Sequence, residues 1–170
     1  TEAASRILDD FYTTTVESCG GDPALMPAVT LACYDLSKLP NVLEKLDLLA
    51  ASMDVSISLG SFASFSELRT NVRQMGRFTG GIVTDLVDLR QLSRRMGDYF
   101  PTEAAALESA LSEMVVGLRT NSERLCGISV YFPYNDKDAY MTTGQYLYER
   151  VPFPESYGDF LDKFAAQWMS

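Results

Sequence analysis

The stretch from Gly127 to Pro133 reads GISVYFP, and the polar run YNDKDAY follows it at once from Tyr134 to Tyr140. Within it, Ile128, Val130 and Phe132 alternate with serine and tyrosine, which is the period of a pleated strand rich in β-branched and aromatic residues. The change to polar residues is abrupt. This pattern predicts a short, well-buried strand that ends in a loop.

A second stretch has the same character. Residues Ala28 to Leu36 read AVTLACYDL and place Val29, Leu31 and Cys33 on one face of a strand. Because the rest of the chain reads as helix, the fold class predicted is helix-rich α/β, with two strands and about five helices. A stable sheet normally needs three or more strands or a covering layer. We therefore expect both strands to belong to one mixed sheet that is larger than this chain can complete.

Helical periodicity accounts for most other segments. The first predicted helix covers residues 2–17, and the second is capped by Ser37 with Leu39, Leu43, Leu46, Ala50 and Met53 facing the core. The next two are residues 65–75, with Leu68, Val72 and Met75 on one stripe, and a helix capped by Thr84 that runs through Leu86, Leu89 and Met96. The last two run from Pro101 through Leu107, Leu111, Met114 and Leu118, and from Glu155 with Tyr157, Phe160, Leu161, Phe164 and Trp168 on one stripe. Turn residues separate these patterns. The segment holding Tyr134, Tyr140, Tyr146 and Tyr148 reads as a tyrosine-rich loop.

Composition limits the class of protein. The chain has a mass of 18.8 kDa and 46% hydrophobic residues, enough for residues 1–170 to form a single domain with a real core. Its 23 acidic and 14 basic residues give a net charge of −9, which argues against nucleic acid and anionic membranes as partners. No apolar run is long enough to span a membrane, and the sequence opens TEAAS without a signal peptide.

The chain contains no histidine. Catalysis by Ser-His-Asp or Cys-His pairs and metal binding by histidine are therefore excluded for this chain acting alone. The cysteines Cys19, Cys33 and Cys126 are odd in number and form no CxxC pair, so they indicate neither a disulfide framework nor a thiolate zinc site. We predict that the isolated chain has no catalytic residues, binds no cofactor and is inactive.

Arginines are concentrated in the middle of the chain. Between Arg69 and Arg95 there are six arginines and two acids. Arg69, Arg73 and Arg77 have the i, i+4, i+8 spacing that forms one stripe on a helix. A solvated helix face is the usual meaning of such a run, and the alternative is a docking face for an acidic partner surface.

The loop after the second strand offers one possible cation site. Asn135, Asp136 and Asp138 supply three oxygen-bearing side chains within four positions. The spacing lacks the glycine and the distal glutamate of the twelve-residue calcium loop, so a solvated turn is expected and a calcium site is the alternative.

Several motifs, taken in order, resemble the C-terminal half of clostripain-like cysteine peptidases, bacterial relatives of gingipains and caspases. The resemblance runs from about Ile7 to Phe164. The motifs are TLACYDLSKLPNVLEKLDLLA at Thr30 to Ala50, DLVDL at Asp85 to Leu89, GISVYFPYND at Gly127 to Asp136, and the spaced set Tyr148, Val151, Phe153, Tyr157, Phe160 and Leu161. The family usually has tryptophan where this chain has Tyr157, a departure that concerns packing rather than chemistry.

The resemblance implies a part of a caspase-like α/β sandwich and a secreted or cell-surface bacterial peptidase that cleaves after Arg or Lys. In that family the catalytic thiolate, the histidine and the acid-lined specificity pocket lie upstream of the region matched here, so none of them can be placed on this sequence. Some members depend on calcium. The implied partner is the catalytic N-terminal half of the same peptidase, and this chain would be its non-catalytic C-terminal region.

A different class of function is also open. The chain could be an independent interaction module without catalytic activity, which binds a peptide or protein through a strand edge or through the arginine stripe. Both hypotheses predict an inactive isolated chain.

Overall fold

The computed structural model describes residues 2–22, 30–72, 74–77, 83–120, 125–134 and 137–168. The helices are α1 (Glu2–Ser18), α2 (Leu39–Ser58), α3 (Phe62–Asn71), α4 (Leu89–Met96), α5 (Pro101–Met114), α6 (Lys137–Ala139), α7 (Gln145–Arg150) and α8 (Glu155–Trp168). The strands are β1 (Thr30–Tyr34), β2 (Gln74–Arg77), β3 (Val83–Asp88), β4 (Val115–Thr120) and β5 (Ser129–Tyr131). The expected helix-rich α/β class is confirmed.

The strands form two small antiparallel sheets. One has the order β1-β4 and the other the order β2-β3-β5. The two predicted strands are both present, as β1 and β5, but the expectation that they share one mixed sheet is wrong for the described residues. Each pairs instead with a segment whose sequence pattern had predicted helix, because cross-strand pairing and burial override local propensity.

Three predicted helices are partly strand. The helix expected over residues 65–75 ends at Asn71, and Gln74 and Met75 belong to β2. The helix expected from Thr84 begins only at Leu89, since the residues before it form β3. The helix expected from Pro101 through Leu118 ends at Met114, where the β-branched pair Val115 and Val116 opens β4. The expected tyrosine-rich loop contains α6, α7 and a π-helical turn at Tyr140–Gly144 between them.

The main core lies between helices α2, α5 and α8. Helix α2 buries the predicted Leu46, Ala50 and Met53, whereas Leu39 is exposed at its first turn. Helix α8 buries a stripe that confirms the prediction for four of its five members, Tyr157, Phe160, Leu161 and Phe164; the side chain of Trp168 lies outside the described part.

The segment after β5 inserts an aromatic ring into this core. The Phe132 ring packs edge-on against Phe160 and Phe164, with ring centroids 5.5 and 5.0 Å apart. Edge-to-face pairs of this kind add to the free energy gained from burying the rings. The β2-β3-β5 sheet is thereby attached to α8.

The β1-β4 sheet is held between α1 and the segment before β5. A side chain at Gly117 of β4 would lie 3.2 Å from the Leu8 side chain of α1, so the two elements are in close contact there. On the other side, Gly127 adopts φ +79°, and a Cβ atom at this position would lie 2.6 Å from the Tyr34 hydroxyl. Only glycine satisfies both the backbone conformation and the close approach.

Candidate functional site

Asp88, at the end of strand β3, joins two separate parts of the chain. Its Oδ1 accepts hydrogen bonds from the backbone N–H groups of Arg90 and Gln91, both at 3.0 Å, which caps helix α4. Its Oδ2 accepts from the backbone N–H groups of Cys126 and Gly127 at 2.9 and 3.1 Å. The residue is fully buried. One carboxylate thus starts a helix and fixes the backbone that leads into β5.

Asp85, three residues earlier, holds the other end of β5. It is buried at 2% exposure and adopts φ +50°, a left-handed conformation that aspartate tolerates better than most residues. Its Oδ2 accepts a hydrogen bond from the Tyr134 N–H at 3.0 Å, and its backbone carbonyl accepts one from the Phe132 N–H at 2.8 Å. The DLVDL motif therefore forms hydrogen bonds with both ends of the GISVYFP motif.

Arg69 of helix α3 completes this network. Its Nη2 lies 3.3 Å from Asp85 Oδ1, and its Nε donates to the Phe132 carbonyl at 2.7 Å. The guanidinium also lies 5.5 Å from the centre of the Tyr134 ring, within cation-π range. Burial lowers the pKa of Arg69 below its ordinary value, and the Asp85 carboxylate opposes that shift. An ion pair buried this deeply is tolerable when its charged atoms also form hydrogen bonds, as Arg69 does here.

The predicted arginine stripe does not form. Helix α3 ends at Asn71, Arg77 belongs to strand β2, and Arg73 lies outside the described residues. Arg69 is only 2% exposed and is committed to Asp85. The interpretation of these arginines as one helical docking or solvated face is therefore wrong, because the helix on which the spacing depended stops after Arg69.

Two of the cysteines, Cys33 and Cys126, lie in environments that suit a structural role. Cys126 is buried, and burial followed by the nearby Asp88 carboxylate raises its pKa to about 11, so the thiol is protonated at neutral pH. Its Sγ lies 3.6 Å from the Ile128 carbonyl. Cys33 is half-buried, with Sγ 3.7 Å from the Ala4 carbonyl of α1. The environment of Cys126 therefore does not generate the thiolate that nucleophilic catalysis requires.

Tyr34 supports the same junction. Its hydroxyl donates to the Cys126 carbonyl at 2.9 Å, and burial, with smaller effects from Cys126 and Asp88, raises its pKa to about 12. A tyrosine that titrates so high stays neutral over the physiological range and acts here as a hydrogen-bond donor. It connects the β1-β4 sheet to the segment that Asp88 holds.

A groove of about 450 Å³ lies beside the start of α8. Tyr140 and Gln145 form part of its wall, and both donate hydrogen bonds to Asp162. Glu155 and Asp159 add two more carboxylates, of which Glu155 lies in the first turn of α8, where negative charge stabilises the helix dipole. Glu155, in the first turn of α8, and Asp162, which accepts two hydrogen bonds, therefore have a structural explanation.

The predicted calcium residues are only partly described. Asn135 and Asp136 lie outside the described residues, and Asp138 is exposed in α6. In the part of the chain that the structure covers, no group of three or more acidic or cysteine side chains is arranged to hold a metal ion.

The network of Asp85, Asp88 and Arg69 was not predicted from the sequence, which had placed Arg69 on a helical docking or solvated face instead. A usable signal was present: aspartate directly before an apolar helical run is a favoured N-cap, and Asp88 precedes Leu89.

Among the helices of the described residues, none has the length and apolar character needed to cross a membrane. Comparison of the chain with protein-family models, with curated proteins and with solved structures finds no match.

Proposed function

We propose that this chain is the non-catalytic C-terminal region of a clostripain-like cysteine peptidase, and that its work is architectural. The catalytic cysteine and histidine would lie upstream in the same polypeptide. Specificity for Arg or Lys, secretion by a bacterium and calcium in the parent enzyme belong to the same proposal, since all of them follow from the resemblance in sequence.

One observation carries the proposal. Two of the motifs on which the resemblance rests, DLVDL and GISVYFP, engage each other directly through Asp85 and Asp88. Because these motifs contact each other in the fold, their occurrence together in one sequence has a physical reason although they are far apart along the chain. The carboxylates of Asp88 and Asp85 bind backbone N–H groups and Arg69, which supports a role in positioning strands.

The chemistry of the chain agrees with a supporting role. With no histidine in 170 residues, the histidine of a Cys-His pair would have to come from another part of the polypeptide. The buried thiol of Cys126, with its raised pKa, is an unsuitable nucleophile. A peptidase built around this region would place its reacting groups elsewhere and use these sheets as a frame.

The natural gene product tests the proposal. We expect that an antibody against this chain, applied to the organism that makes it, captures a polypeptide larger than 18.8 kDa. Tryptic peptides should then show an upstream segment in the same polypeptide that contains both histidine and a further cysteine. An intact natural product of 18.8 kDa would refute the proposal and favour the independent interaction module.

A further inference from the structure

Two side chains of the segment between β5 and α8 meet on one carboxylate. The backbone N–H of Gln145 donates to the Tyr140 carbonyl, which closes the π-helical turn. In an α-helix, residues five apart point roughly 140° away from each other, whereas a turn closed between such residues brings them to one side. The Tyr140 hydroxyl and the Gln145 side-chain amide both donate to Asp162 of α8, the amide at 3.2 Å. The unusual turn thus directs both donors to the same acceptor.

The same turn packs against strand β5. The Tyr140 ring is buried and stacks on the ring of Tyr131, with the ring centroids 6.0 Å apart. A Cβ atom at Gly144 would lie 2.9 Å from the Tyr140 ring and 3.1 Å from the Tyr131 ring. A side chain at this position would therefore force the turn or the two rings to move. The turn has two described contacts, with Asp162 of α8 and with Tyr131 of β5.

Residues 137–150, here called the strap, depend on such contacts for their conformation. The helices of the strap, α6 and α7, have only three and six residues. Isolated helices shorter than about 12 residues are marginal in water, so neither is stable by itself. Among the strap side chains that the structure describes, the exposed ones are Asp138, Ala139, Met141, Thr142, Tyr146 and Arg150. The strap is therefore held mainly from one side.

The strap forms one wall of the groove beside α8. Tyr140 and Gln145 line the groove from the strap. The α8 side of the groove consists of Glu155, Gly158, Asp159 and Asp162. A Cβ atom at Gly158 would have no neighbour within 4 Å among the described residues, so the α8 side is open at this point. The carboxylate that anchors the strap thus lies in the groove that the strap encloses.

We propose that the strap is a movable cover of this groove and that the Asp162 carboxylate is its latch. When Tyr140 and Gln145 separate from Asp162, the strap moves away as a unit and the α8 side of the groove becomes accessible. Segments that rely on few buried side chains open at a lower free energy than the core of the same protein. The core-facing side chains of α2, α5 and α8 are buried, so these helices remain folded while the strap is open.

Hydrogen exchange measured by NMR on the 170-residue chain and on its Asp162→Ala variant tests the latch. The backbone amides of Gln145 and Arg150, at the two ends of α7, should exchange more than about tenfold faster in the variant, relative to the buried Met53 of α2. The reason is the loss of two hydrogen bonds to a charged acceptor, which are stronger than those between neutral groups. Tyr140→Phe removes one donor without changing α8, and should raise the same two rates by a smaller factor.

Asp54→Ala is the matched control, because it removes another carboxylate bound to α8, the partner of Lys163 at 2.6 Å. It should leave the exchange of the strap amides unchanged. Unchanged strap rates in both Asp162→Ala and Tyr140→Phe would refute the latch. A rise at Gln145 without one at Arg150 would show a single lost hydrogen bond instead of a unit that opens. An equal rise at Met53 and at the strap in both variants would show that the strap opens only when the whole domain unfolds, which also overturns the proposal.

Discussion

Replacing Asp85 by alanine is expected to lower the free energy of unfolding by about 3–5 kcal/mol, because the change leaves the Arg69 guanidinium buried without its counter-ion. The pair is 3.3 Å apart, and both side chains are 3% exposed. The Tyr134 N–H loses its acceptor as well, and alanine is less tolerant than aspartate of φ +50°. Urea denaturation followed by far-UV circular dichroism measures the loss.

Glu108→Ala is the matched control. The Arg94–Glu108 pair is closer, at 2.6 Å, but its side chains are 42% and 32% exposed. Exposed pairs contribute at most about 1 kcal/mol, so this variant should be close to wild type. Asp85→Asn separates charge from conformation, since asparagine also tolerates the left-handed region but carries no charge. A loss for Asp85→Ala no larger than that for Glu108→Ala would mean that Asp85 does not hold β5 as described.

Truncating either ring that joins β5 to α8 is expected to be similarly damaging. Phe132 is 0% exposed and Phe164 is 1% exposed. Phe132→Ala and Phe164→Ala should each lower the free energy of unfolding by about 3–5 kcal/mol through lost burial and the cavity that remains. That is a large share of the stability of a single domain.

Phe11→Ala provides the comparison, because Phe11 on α1 is 65% exposed and its truncation should change stability by less than about 0.5 kcal/mol. The double variant of Phe132 and Phe164 should show a coupling of about 0.5–1.5 kcal/mol, the range measured for edge-to-face aromatic pairs. Losses below about 1 kcal/mol at both buried positions would place these rings at the surface and contradict the packing of β5 on α8.

The elements that could be predicted are those whose own sequence pattern is unambiguous. Strand β5 lies inside the predicted Gly127–Pro133 stretch, and β1 lies inside Ala28–Leu36. Both are short apolar runs bounded by polar or turn residues, so local sequence and tertiary environment agree. Helix α8 was equally clear because its aromatic residues repeat at helical spacing over the whole element.

Strands β2, β3 and β4 were missed, and for β3 and β4 the tertiary environment decides the conformation. Leu86 and Leu89 have helical spacing, but strand pairing with β5 and the cap at Asp88 delay the helix to Leu89. Likewise, Leu118 continues the helical stripe of α5, yet it pairs with Ala32 of β1. Such long-range pairings leave only a weak trace in the local sequence, here the β-branched residues of each strand.

The Arg69–Asp85 pair of the candidate site could not be predicted from the local sequence either. The i, i+4, i+8 spacing of three arginines is meaningful only if one helix contains them all, and α3 ends at Asn71. The sequence does not reveal that the aspartate of a later strand would be Arg69's partner. Asp88, in contrast, could have been identified from its N-cap position.

The most direct test of the proposed function is to locate the reactive thiol of the natural polypeptide. An electrophilic peptide ending in arginine, such as a peptidyl-arginine chloromethyl ketone, should alkylate one cysteine, and peptide mass spectrometry then identifies it. We expect the adduct on a cysteine that precedes the 170-residue sequence, because Cys126 is buried and its pKa is raised to about 11. An adduct on Cys19, Cys33 or Cys126 that accompanies loss of peptidase activity would contradict the account, since the reacting group would then lie within this chain.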